Sequence, residues 1–216
     1  MLAFKTAPDQ GSKGISVLVV EGGTPGLTVG PDLNKMGCRS SSTTSVALKD
    51  CLIPAENLLG KENGGFKVAM YGLVSGRLGM CSMGIGIAEA CLEEAVDYAN
   101  RRVAFGKPLA ALYSVQAMAA EMHVKLEAAR LMVNAVARRM DEGEDCALET
   151  SVAKLFVAET VDEVCFKAMQ VFGGHGYLRN ANVERYARDG RLMDIGVGAS
   201  EVLKMVVGSA VLRSRA

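Results

Sequence analysis

The sequence predicts an α+β fold that is mainly α: a short antiparallel β segment followed by an antiparallel four-helix bundle. Before about residue 63, short β-branched runs alternate with turns rich in glycine and proline. After it, long segments carry apolar residues at the helical period and are joined by short loops such as "DEGED" at 141–145. We therefore expect two domains in this 216-residue chain, 1–62 and 63–216.

The β segment contains two runs with the composition of strands. "ISVLVV" at 15–20 and "TTSVALKDCLI" at 43–53 are rich in β-branched residues, and "EGGTPG" between them is a turn signal. These runs predict strands of an antiparallel sheet.

Four long helices are predicted after the β segment. The clearest is 153–172, where apolar residues fall on one face, while Lys154, Asp162 and Lys167 lie elsewhere around the helix. The other helices are expected at about 64–101, 113–141 and 199–213, with a shorter one near 181–189.

The first of these helices is unusually rich in glycine. Each glycine costs about 1 kcal/mol relative to alanine in a helix interior. Two explanations are open: tight packing against another helix, or the close approach of a flat ligand. The glycines concerned are Gly72, Gly76, Gly79, Gly84 and Gly86.

Composition excludes several classes of function. Lys plus Arg (24) equals Asp plus Glu (24), which argues against a nucleic-acid-binding surface. The longest apolar stretch, 78–88, is too short to span a membrane. Six cysteines without a Cys-x-x-Cys pair, and only two histidines, predict no metal site. Scattered thiols of this kind are typical of a reduced compartment, so a cytoplasmic location is expected.

Four motifs in order carry a resemblance. They are "KMGCRSSSTTSVALKDCLIPAENLLGKENGGFKVAM" (35–70), "YANRRVAFGKP" (98–108), "AKLFVAETVDEVCFKAMQVFGGHGY" (153–177) and "RYARDGRL…GASEV" (185–202). Together they resemble the acyl-CoA dehydrogenase family, whose members place a middle β domain before a C-terminal helical bundle. The resemblance implies FAD as cofactor, an acyl-CoA thioester as substrate, and a role in fatty acid metabolism. It also implies a homo-oligomer, a dimer or a tetramer, with electron-transfer flavoprotein as a partner. Relative to that pattern the chain begins late in the β domain, as a fragment or a truncated gene product would.

The resemblance assigns five residues to FAD. Arg102 matches the arginine that pairs with the pyrophosphate of the neighbouring subunit's FAD, and Phe105 matches an aromatic residue beside the cofactor. Gln170, Gly173 and Gly174 match the Gln-x-x-Gly-Gly that holds the adenosine part across the dimer. The alternatives are a solvated Arg101–Arg102 pair at a helix end and a glycine C-cap after the third helix.

The catalytic base of the family has no equivalent in this sequence. Most members carry a glutamate at the position of Val197, and members of the isovaleryl-CoA dehydrogenase type, which the loop 195–202 most resembles, carry it at the position of Gly76. The resemblance further implies that Arg77 and Gly198 contact the substrate, although Arg77 is equally explained as a helix-surface arginine. No catalytic residue is assigned.

Three hypotheses follow from the missing base. The first is α,β-dehydrogenation with FAD as hydride acceptor and an unusual base, for which Asp194 is the nearest carboxylate in sequence and Glu201 the next. The second is a non-oxidative flavoprotein of the same fold, such as an acyl-CoA desulfinase. The third is a non-catalytic remnant or an FAD-binding subunit.

Overall fold

The structure, a computed structural model, describes residues 1–213. Its strands form three antiparallel pairs: β1 (Leu2–Lys5) with β2 (Ile15–Leu18), β3 (Leu27–Val29) with β4 (Val46–Leu48), and β5 (Val103–Ala104) with β6 (Lys107–Pro108). Its α-helices are α1 (Gly65–Arg101), α2 (Tyr113–Asp141), α3 (Ala147–Phe172), α4 (Asn182–Gly190), α5 (Leu192–Ile195) and α6 (Ser200–Arg213). The predicted class, α+β and mainly helical, is confirmed.

The described chain divides into two units. The first comprises Met1–Lys35 and Arg39–Ser75, and the second comprises Met36–Cys38 and the chain from Gly76 onward. The division falls inside α1. The predicted domain boundary between residues 62 and 63 stays a prediction.

In the first unit, each of the two predicted runs contains a strand, but the strands form two separate pairs and not one sheet. β2 pairs with β1, and β4 pairs with β3, so each run has a partner that its composition did not reveal. β1 and β3 are four and three residues long. β2 and β4 are equally short but lie inside longer β-branched runs, whereas no such run surrounds β1 or β3, which explains why those two escape detection.

In the second unit, α3 is the central helix. It packs against α2, α4, α5 and α6, and 12 of its 26 residues are buried. It begins at Ala147, before the predicted start at 153. The predicted start is late because Thr150 and Ser151 interrupt the apolar face. Both hydroxyls donate to the carbonyl of Ala147, which lets them lie buried without unpaired polar atoms.

Of the five α1 glycines named above, only Gly84 is tightly packed against another helix. A Cβ on Gly84 would lie 3.0 Å from Val157 and 3.1 Å from Val161, both on α3. Gly72, Gly79 and Gly86 have no atom within 4 Å of such a Cβ. Packing within the described chain therefore does not explain a glycine at those three positions.

The segment Met36–Cys38, in the connection between β3 and β4, is hydrogen-bonded to α4. The backbone N–H of Cys38 donates to Asp189 Oδ1 at 2.6 Å, and Arg188 Nη1 donates to the carbonyl of Met36 at 2.8 Å. Between them, Gly37 lies directly on the backbone of α4, and a Cβ there would overlap the Arg188 carbonyl.

We expect Gly37→Ala to lower the free energy of unfolding by about 1–3 kcal/mol, because backbone cannot yield as a side chain does. Gly22→Ala is the matched control, since a Cβ at Gly22 meets nothing within 4 Å. It should change stability by less than about 0.5 kcal/mol. Urea unfolding of the three proteins measures the difference, and equal midpoints would contradict the contact.

No single helix within residues 1–213 is both long and apolar enough to cross a membrane, whereas the bent pair Asn182–Ile195 and Ser200–Arg213 meets the same criteria of length and composition.

Candidate functional site

The turn between α5 and α6 has a strained backbone. Val197 lies at φ 46° and Gly198 at φ 114°. A β-branched residue in the left-handed region is disfavoured by about 1–2 kcal/mol. Surrounding contacts must therefore hold this conformation.

The two positions at which a glutamate was expected meet at this turn. A Cβ on Gly76 would lie 3.5 Å from Cγ1 of Val197. Positions 76 and 197 therefore face the same point from α1 and from the turn. Neither carries a carboxylate.

Two cations bind the carbonyl oxygens of the turn. Arg77 donates from Nε to the carbonyl of Val197 at 3.3 Å and from Nη1 to Ser151 Oγ at 3.1 Å. Lys154 donates from Nζ to the carbonyl of Gly198 at 2.8 Å and to that of Asp194 at 3.4 Å. Burial lowers the pKa of both side chains. The backbone N–H of Val197 has no acceptor among the residues that the structure describes.

Lys154 is a residue that sequence reasoning misplaced. It was expected off the apolar face of its helix, yet it is only 2% exposed. The reason is the central position of α3, which is covered on several sides. The available signal was local: Lys154 is the one charged residue of the run "TSVAKLFVA" at 150–158.

The two carboxylates considered as substitute bases are differently placed. Asp194 accepts hydrogen bonds from Ser200 Oγ at 2.5 Å and from Arg191 Nη1 at 2.7 Å. The Ser200 hydrogen bond, together with Arg191, holds the pKa of Asp194 below its usual value, which weakens it as a base. Glu201 is exposed in the first turn of α6.

A hairpin after α1 holds an aromatic side chain out from the protein. Its tip is Phe105 at φ 53° followed by Gly106 at φ 77°, and the Phe105 residue is 90% exposed. Positive φ at both tip residues fits a type I′ turn, where asparagine or glycine is usual and phenylalanine is not. Arg102, at the base of the hairpin, is exposed and pairs with no carboxylate within residues 1–213.

The glycine pair after α3 has two different explanations. Gly173 has φ 58° and ψ −137°, and its N–H donates to the carbonyl of Gln170, so it is the C-cap. Gly174 has neither a positive φ nor any atom within 4 Å of an added Cβ. Nothing inside the described chain requires a glycine at 174.

Tyr98 brings these two motifs to one end of the helical unit. Its ring stacks on Phe172 with centroids 4.1 Å apart, and its hydroxyl lies 3.4 Å from His175 Nδ1. Its carbonyl accepts the N–H of Arg102 at 2.8 Å. The hairpin and the residues around Gly174 are therefore neighbours, and Gln170 is exposed beside them.

The substrate positions lie far from this end. Twenty-five residues separate Arg77 from Arg102 along α1, which at 1.5 Å per residue is about 37 Å. The structure thus separates the predicted site residues into two groups, one at the turn and one at the hairpin end.

Comparison with known proteins identifies what the chain is similar to. The family model described as acyl-CoA dehydrogenase, C-terminal domain, matches residues 63–212. The acyl-CoA dehydrogenase of Bacillus subtilis is 42% identical over 207 residues, covering 96% of this chain and 55% of the relative. The short-chain specific acyl-CoA dehydrogenase of Megasphaera elsdenii is 40% identical over 208 residues, covering 96% and 54%.

The solved structures agree with the sequence comparison. The butyryl-CoA dehydrogenase of Megasphaera elsdenii superposes with a TM-score of 0.96 at 40% identity, covering 98% of this chain and 55% of the other. The chain spans about half the length of the relatives it matches.

Proposed function

Since the chain belongs to the acyl-CoA dehydrogenase family, we propose that it works within an FAD-dependent oxidoreductase that carries out α,β-dehydrogenation of an acyl-CoA thioester. The observation that carries this proposal is the meeting of positions 76 and 197 at one strained turn beside Arg77. In this proposal residues 1–62 belong to the middle β domain and residues 63–216 form the C-terminal bundle.

The hairpin end fits a flavin dinucleotide. Arg102 offers an exposed guanidinium that pairs with no carboxylate of the described residues, and its planar fork suits a pyrophosphate. Phe105 offers an exposed aromatic face, and Gly174 allows a ligand to approach the backbone. Gln170 and Gly173 complete the group. When bound, FAD would supply the acceptor for the hydride that leaves the β-carbon.

A complete site requires two copies of the chain. The 37 Å estimate along α1 between Arg77 and Arg102 is longer than a flavin dinucleotide. One copy would therefore supply the turn and its partner the hairpin end, which supports a homodimer or a homotetramer. Electron-transfer flavoprotein is the proposed redox partner; one relative, 40% identical, is named caffeyl-CoA reductase-Etf complex subunit CarC of Acetobacterium woodii.

At the turn, this chain binds the thioester rather than supplying a base. The turn carbonyls are occupied by Arg77 and Lys154, which leaves the Val197 N–H to donate to the thioester carbonyl oxygen. Gly198 has φ 114°, a conformation that glycine adopts without strain, and a Cβ there would contact Leu203 at 3.4 Å. Dehydrogenation also needs an acceptor for the α-proton, which Gly76 and Val197 do not supply, and the Asp194 carboxylate is already engaged by Ser200 and Arg191.

The absence of a carboxylate at both positions favours a second candidate function. A non-oxidative reaction on an acyl-CoA, such as loss of a β-sulfinate, needs no α-proton abstraction, and Val197 would suppress that competing step. A non-catalytic FAD-binding subunit is the remaining alternative.

None of the six cysteines forms a disulfide in the described chain, which supports a cytoplasmic location.

One set of assays separates these functions. The purified protein is examined for flavin absorbance and then incubated with a panel of short acyl-CoAs and an artificial electron acceptor. Acceptor reduction supports dehydrogenation, and sulfite release from a sulfinyl thioester without acceptor reduction supports the second candidate. A colourless preparation that takes up no added FAD would overturn both.

We expect Arg102→Ala to weaken FAD binding by about 10–100-fold, the effect of losing one charge-assisted contact of about 1.5–3 kcal/mol. Arg101→Ala is the matched control, because Arg101 donates from Nε to its own helix at the Asp97 carbonyl. Its affinity should stay within about twofold of the parent. Titration of apoprotein with FAD, followed by flavin fluorescence, gives both constants; equal losses in the two variants would reduce Arg102 to a surface charge.

A further inference from the structure

Lys154 is the largest fully buried side chain of the described chain, and no carboxylate lies within ion-pair distance of it among residues 1–213. Burying an unpaired ammonium is costly, and replacing buried charges with apolar residues is often neutral or stabilising. A contribution to stability therefore does not explain this lysine.

The hydrogen bonds of Lys154 point to a different role. Nζ donates to the carbonyls of Gly198 and Asp194, which flank Val197 on either side. From the opposite helix, Arg77 donates to the carbonyl of Val197 itself. The two cations thus act on a single turn whose backbone is strained at Val197.

The charges around Lys154 do not offer it another partner. Asp194 and Glu201 contribute attractive charge and Arg77 contributes repulsion, while the Asp194 carboxylate itself is bonded to Ser200 and Arg191. Of the two hydrogen bonds that Nζ donates, the one to the Gly198 carbonyl is the shorter, at 2.8 Å.

We propose that Lys154 is a positioning residue: through the Gly198 carbonyl it fixes the turn so that residue 197 and its N–H stand against position 76, where the acyl-CoA thioester binds. This rests on the proposed function only for the identity of the ligand. The conformation of the turn itself can be measured without any ligand.

The test uses Lys154→Met, which keeps the length and removes the donor. Hydrogen–deuterium exchange of peptides that contain residues 194–203 should become at least about tenfold faster in the ligand-free protein. Butyryl-CoA, titrated against the bound flavin's absorbance, should bind about 10–100-fold more weakly, while the melting temperature is unchanged or higher. Lys204→Met, which removes an exposed lysine of α6, is the control and should change none of these.

Each outcome decides the proposal. A lower melting temperature with unchanged exchange and affinity would overturn it, because Lys154 would then be a purely stabilising group. If Lys154→Met does not fold, Lys154→Gln, which retains a donor, should give intermediate exchange and affinity; failure of both variants to fold overturns the proposal too. If the parent protein binds neither FAD nor butyryl-CoA, the proposed function fails, and faster exchange in Lys154→Met still supports the role of Lys154.

Discussion

Replacing Val197 with glutamate is expected to raise the exchange of butyryl-CoA α-protons with solvent by about 10²–10⁴-fold, the usual contribution of a positioned general base. The turn presents residue 197 at the point that Gly76 faces from α1, with Cγ1 of Val197 already 3.5 Å from where a Gly76 Cβ would be. The Arg77 guanidinium, which bonds the same turn, would keep a carboxylate there ionised and so able to accept a proton, and would also make it a weaker base than an unpaired glutamate. Glutamate is also not β-branched, so the backbone strain at position 197 should not increase.

Two further variants make this result specific. Val197→Gln has the same length as the glutamate and no basic oxygen, so its exchange should stay at the level of the parent. Gly76→Glu places the carboxylate at the same point from the other side, and its Cβ would make only ordinary contact with Val197. It should give a comparable gain. Exchange is followed by mass spectrometry of butyryl-CoA in D₂O.

The gain would be absent if the correspondence of these positions were wrong. Unchanged exchange in both Val197→Glu and Gly76→Glu, with FAD and butyryl-CoA still bound, would remove the turn from the thioester site. A gain in exchange without reduction of an artificial electron acceptor would instead show that proton removal is restored and hydride transfer is limited elsewhere.

The sequence predicted the helical elements because their signals are local and repeated. α1, α2 and α6 begin and end within one residue of the predicted bounds, since each carries many turns of the same pattern. β1 and β3 are too short to carry a pattern, and their pairing depends on partners distant in sequence. β2 and β4 are equally short, but each lies in a longer β-branched run, so the length of the local signal around a strand separates what was predicted from what was missed.

The site was predictable by residue type but not by arrangement. The motifs gave Val197 and Gly76 as two vacant base positions, yet nothing in the sequence shows that they meet in space. Lys154 was placed off the apolar face because a charged residue is ordinarily solvated. Its burial reflects coverage of α3 by several other helices, which is a property of the tertiary structure and not of the helix.

The separation of the two groups of site residues leads to the second large effect that we expect. Arg102→Ala weakens FAD binding at the hairpin, and Arg77→Met removes the contact to the turn. With FAD kept at about the dissociation constant of the parent, each protein alone should show little flavin response to butyryl-CoA. In a two-fold symmetric pair, the site that takes its turn from the Arg102→Ala chain and its hairpin from the Arg77→Met chain contains no substitution. After dissociation and random reassociation, about a quarter of all sites should respond, since half of the pairs are mixed and each has one intact site.

The recovery is measured as the butyryl-CoA-induced change in flavin absorbance after mixing equal amounts of the two proteins. The matched control mixes Arg102→Ala with Phe105→Ala, because both substitutions lie at the hairpin end and every site then lacks one hairpin contact. That mixture should stay unresponsive. Recovery in both mixtures, or in neither, would mean that Arg77 and Arg102 do not serve one site across two chains. A single chain would then have to span the distance of about 37 Å along α1. Recovery in the first mixture alone would show that a turn from one copy and a hairpin from another build each site, as an estimated span longer than the cofactor requires.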